Sequence, residues 1–65
     1  MRPMEIEMEK KIASLKAAYA KNDRAAIVRA SRALIAYNNK HPMAVLLTAG
    51  SGDIVNLARK IVAVA

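Results

Sequence analysis

The chain has 65 residues, 55% of them hydrophobic, with eleven Lys and Arg against five Asp and Glu and a formal net charge of +6. With no cysteine it excludes a disulfide framework and a thiolate zinc site, and this fits a reducing cytosol. A domain this small buries only about 60% of the surface its unfolded chain exposes, so the apolar remainder is expected to meet a second copy, a partner or a membrane surface.

With no Trp or Phe and only Tyr19 and Tyr37, packing falls to Ala, Leu, Ile, Val and Met. Alanine loses no side-chain entropy in a helix and glycine is scarce, so the expected class is all-α. The opening MRPMEIEMEKK lacks the apolar stretch of a secretory signal. The first helix is predicted over 4–20. Pro3 suits its first turn, and Glu5, Glu7 and Glu9 match the positive end of its dipole. Met4, Met8, Ile12, Leu15 and Tyr19 recur at three- and four-residue steps and make its apolar stripe. Met1, Met4 and Met8 read as an adaptable apolar end that a partner can use.

Lys21-Asn22-Asp23 breaks this pattern, and Asp23 is suited to cap a second helix predicted over 24–39. Its main stripe is Ala26, Ile27, Ala30, Ala33, Leu34 and Tyr37. The alanines should let helices 1 and 2 close into a tight antiparallel hairpin. Arg24, Val28, Ser31, Arg32 and Ile35 lie near one another on the other side, with Arg29 at the edge. Val28 and Ile35 form a second apolar seam two turns apart, flanked by arginines. Such a seam predicts cover on both sides of the helix, from the C-terminal helices or from a second protomer, and the expectation here is a partner. Ala18 to Asp23 followed by Ala26-Ile27 and Ala33-Leu34 resembles the helix pair of a tetratricopeptide repeat, with Asn22 at the turn glycine. One copy makes no solenoid, so the segment reads as a generic helical hairpin.

Asn38-Asn39-Lys40-His41-Pro42 ends helix 2, since the residue before proline is pushed out of the helical region. A third helix is predicted over 43–49. MAVLLTA is apolar all round except Thr48, so it is expected to be central. Gly50 should end it, and a fourth helix with a wide apolar face is predicted over 53–64, with Ser51 as the alternative start. Residues 43–65 have the length of a membrane span, but Gly50-Ser51-Gly52-Asp53 interrupts the run and Arg59-Lys60 follows. Two short buried helices in a soluble, cytoplasmic protein are expected instead.

Catalytic chemistry finds no support. His41 is the one histidine, sits in a turn, and has no spacing that pairs it with Ser14, Ser31, Thr48 or Ser51. Glu5, Glu7 and Glu9 cannot converge on one helix face to hold a metal. Gly50-Ser51-Gly52 lacks the Walker spacing and lysine of a phosphate loop and reads as a connector. No cofactor, metal or enzymatic activity is expected. DIVNLARKIVAVA is too apolar for a recognition helix. A ribbon-helix-helix built on residues 4–8 would turn glutamates toward phosphates that repel them.

The distribution of charge is more informative. Residues 10–41 hold Lys10, Lys11, Lys16, Lys21, Arg24, Arg29, Arg32 and Lys40 against Asp23 alone. The sequence therefore points to a single domain, 1–65: a helical hairpin plus two short C-terminal helices, paired as a homodimer. Its expected role is that of a small regulatory or inhibitory protein. It should bind an acidic protein surface through Lys21, Arg24, Val28, Arg29, Arg32 and Ile35, with DNA binding through the same arginines as the alternative. Without interfacial Trp or Phe, a membrane partner is not expected.

Overall fold

A computed structural model describes residues 2–65. Among them lie four helices and no strand: α1 (Pro3–Ala20), α2 (Arg24–Lys40), α3 (Met43–Leu47) and α4 (Ser51–Val64). The chain is an all-α helical bundle. Residues 4–8 belong to α1, which removes the strand that a ribbon-helix-helix requires.

The α1–α2 junction follows from two side chains. Asn22 takes the left-handed conformation (φ 53°) that asparagine tolerates. Its N–H then donates to the Tyr19 carbonyl at 3.0 Å and the Asp23 N–H to the Ala18 carbonyl at 3.2 Å, the paired C-terminal bonds of a Schellman motif. One residue on, the Asp23 carboxylate accepts from the Ala26 N–H at 3.2 Å and caps α2. Three residues thus end one helix and start the next.

α2 is the element that both α1 and α4 pack along, and α3 touches the other three less extensively. The core is built from Met8, Leu15, Leu34, Ala44, Val55 and Ala58. Met8 is fully enclosed and Met4 packs against it, so these two are interior rather than an adaptable end; Met1 lies outside the described residues. Ala33, expected on the buried stripe of α2, is exposed. The reason is that α1 and α4 together draw in an arc from Ala26 and Ala30 through Ile27, Leu34 and Ser31 to Ile35 and Val28. The arc left to solvent is about a third of the circumference.

Two expectations for the C-terminal half are corrected. α3 stops at Leu47 rather than Ala49, and it is peripheral rather than central: of its five residues only Ala44 is buried, while Met43 is 55% and Leu46 76% exposed. A single helical turn presents one face to its neighbours, however apolar the others are. α4 begins at Ser51, the earlier of the two expected starts. Gly50 (φ +75°) supplies the left-handed turn that redirects the chain. Ser51 is completely buried, and its hydroxyl shares its proton between the Val45 and Thr48 carbonyls at 3.0 and 2.8 Å. That commitment makes Gly50-Ser51-Gly52 a structural elbow.

The radius of gyration, 11.0 Å, matches the value of about 11 Å for a compact chain of this length. No helix among the described residues is long and apolar enough to cross a membrane.

Candidate interaction surface

The six residues singled out from the sequence do not form one patch. α4 lies along the α2 face that carries Val28, Ser31 and Ile35. Ser31 is fully buried, Ile35 packs against the core, and Val28 is half-buried. The seam expected to face a partner is therefore partly covered from within the chain by α4, and Val28 shares a cleft with Ile61 and Val64. Sequence reasoning named this cover as one of two choices and favoured the other.

What α2 leaves outside is chemically simple. Arg29, Arg32 and Lys40 alternate with Ala25, Ala33 and Ala36 on its exposed arc, and α2 contains no carboxylate. Two shallow grooves border this arc. The groove between α1 and α2 is floored by Ser14, Ala17, Ala18, Ala26 and Ala30 and rimmed by Lys21, Asp23 and Arg29. The groove on the other side, between α2, α3 and α4, is lined by Asn38, Val45, Val55 and Asn56 and carries Arg59. Among the described residues the one ion pair is Lys10–Glu7 at 3.4 Å, between exposed side chains. The arginines of α2 thus keep their full capacity to bind anions.

Arg24 and Val28 are brought together elsewhere. Where α1 ends, α2 begins and α4 ends, an open cleft of about 360 Å³ is lined by Tyr19, Asn22, Arg24, Ile27, Val28, Ile61, Val64 and Ala65. α3 packs between α1 and α4 next to the other end of the bundle and leaves this end unfilled. The sequence signal for this cleft was the wide apolar face of α4, part of which was expected to be covered by a second copy. In the structure Leu57 and Val64 are 37% and 87% exposed.

His41 stacks on Tyr37, ring centroids 4.8 Å apart, and its N–H closes the end of α2 on the Tyr37 carbonyl at 2.8 Å. The buried Ser31 Oγ, Asn38 Oδ1 and Thr48 Oγ1 have no hydrogen-bond partner. No cluster of three or more His, Cys, Asp or Glu that could hold a metal occurs among the described residues. Comparison with protein-family models, with curated proteins and with solved structures finds no match.

Proposed function

We propose that this chain is a non-enzymatic interaction protein of the cytoplasm, regulatory or inhibitory in role, that docks the outer face of α2 on an acidic surface of a partner protein. The observation that carries this reading is the arc of Arg29, Arg32 and Lys40 on an alanine floor, free of carboxylates and of ion pairs. Small side chains between the cations let a partner's backbone approach, and unpaired guanidinium groups can bind its carboxylates bidentately. Lys21, which lines the same groove as Arg29, extends the positive field toward α1.

One observation favours a second reading, backbone binding to nucleic acid. With Val28 and Ile35 drawn under α4, the basic face keeps little apolar area, and a phosphate backbone needs none. Salt separates the two. Binding of a labelled polyglutamate peptide and of a labelled 20-base-pair duplex, each titrated from about 50 to 200 mM salt, should favour the peptide and be lost in Arg29→Ala/Arg32→Ala. Tighter duplex binding that falls roughly forty-fold over that range, as three phosphate contacts predict, selects the second reading. Equal behaviour of the double variant and the parent toward both probes removes both.

We also propose a homodimer. Its contact is reassigned from the Val28–Ile35 seam to apolar side chains that remain outside, Met43, Leu46 and Leu57. Leu46→Lys should then give the sedimentation mass of a single chain, and an unchanged dimer mass discards this contact.

A further inference from the structure

The outer face of α4 is self-complementary. With Leu57 as the centre line, Asp53, Lys60 and Val64 lie within about 60° to one side of it and Ile54 and Ile61 within about 60° to the other. Asp53, Leu57, Lys60 and Val64 are exposed, while Ile54 and Ile61 are half-buried and touch the core from the edge. The buried Val55 and Ala58 fall on the opposite side of the helix, and Arg59 turns the same way to line the α2–α3–α4 groove. Two opposite charges are thus held on one edge of an apolar stripe. Seven residues, about 10 Å of helix, separate them, too far for them to pair within the chain. Among the described residues neither takes part in an ion pair.

One symmetry satisfies all of these positions. A two-fold axis passing beside Leu57, perpendicular to α4, sets a second α4 antiparallel to the first and places Leu57 on its own counterpart. Asp53 then lies about 6 Å below the axis and the partner's Lys60 about 4.5 Å below it, on the same edge. Ile54 and the partner's Ile61 meet in the same way on the other edge. The axis makes each pair twice. Val64 reaches the level of the partner's Gly50, where an added Cβ would meet nothing within 4 Å, so the elbow has room for its side chain. A parallel pairing sets Asp53 level with Asp53 and Lys60 level with Lys60, and like charge opposes it. We infer that α4 is the contact of an antiparallel two-fold homodimer, registered by Leu57 at its centre and by Asp53 on the partner's Lys60. This rests on the homodimer proposed above and gives it a geometry. Leu57 becomes the centre, and α3, which carries Leu46, runs into the elbow at each end. All the residues that set the register lie on α4, so the basic arc of α2 is left open on both copies.

Sedimentation of the intact chain, up to millimolar concentration, tests the register by charge reversal. Asp53→Lys sets lysine against the partner's Lys60, and Lys60→Glu sets glutamate against the partner's Asp53. Each should weaken self-association by at least about tenfold, because one substitution acts twice across the axis. Combined in one chain, the two reversals restore opposite charges and should return the dissociation constant to within about threefold of the parent's. Both side chains are exposed, and thermal melts of the dilute chains check that the fold is kept. The sequence has no cysteine, so Leu57→Cys supplies a single thiol. Close to the axis it should form a covalent dimer on mild oxidation far faster than Asn56→Cys, whose side chain is turned about 100° away. Single reversals that leave a dimeric parent's mass unchanged, a double variant no tighter than the singles, or equal cross-linking at positions 56 and 57 would each overturn this register and leave a homodimer standing. A parent that sediments as one chain at millimolar concentration overturns both.

Discussion

α2 carries four cations, and α3 is five apolar residues in a row, yet α2 is the helix that α1 and α4 pack along while α3 leaves most of its surface in water. Mean hydropathy ranks these two helices in the wrong order. Length ranks them correctly. Seventeen residues make nearly five turns, enough to present one face to α1 and another to α4, with the cations gathered on what remains. Five residues make little more than one turn, which can bury Ala44 and must strand Leu46. Burial in a small bundle is decided by how far an element runs along its neighbours.

The sharpest way to break this comparison is to cut equivalent leucines from the two helices. Leu34→Ala, at a fully buried site on α2, should cost roughly 3 kcal/mol in urea denaturation. That is a large part of the roughly 3–10 kcal/mol available to a domain of this length. The double change Val28→Lys/Ile35→Lys comes next. It should destabilise by about 2 kcal/mol and leave the sedimentation mass as it was, because those side chains pack under α4. A stable protein of altered mass would instead return the seam to a partner. Asp23→Ala should cost about 1 kcal/mol through the lost cap. Ser31→Ala should raise stability by up to about 1 kcal/mol, since it removes a buried hydroxyl that has no partner. Smallest of all, Leu46→Ala on α3, compared with the parent chain at a dilution where both are single chains, should stay within about 0.5 kcal/mol, and a loss as large as that of Leu34→Ala would overturn the ranking by length.

Much of the architecture could be read from local chemistry. Proline and glutamates at the start of α1, Asp23 at the start of α2 and His41-Pro42 at its end act within one or two turns, where sequence neighbours are also spatial neighbours. Gly50 marked the last turn for the same reason. The relation of α4 to α2 was harder, because the wheel of α2 shows that Val28 and Ile35 need cover without saying whose. Leu57 and Val64 illustrate the converse. They complete an apolar face in the sequence, but α2 and α3 together are too narrow to cover it. The cleft between Arg24 and Val64 joins residues forty positions apart, which no periodicity connects.

The elbow at Ser51 has a consequence for how the molecule comes apart. Its hydroxyl ties a carbonyl of α3 to the first turn of α4, and its own N–H bonds the Thr48 carbonyl at 3.2 Å. A fluctuation that frees α4 must therefore rupture the last turn of α3 in the same event. The C-terminal third opens as a single hinged flap. Lifting it bares Val28 and Ile35 beside the arginines, so the transiently opened molecule displays an adhesive stripe that the resting one conceals.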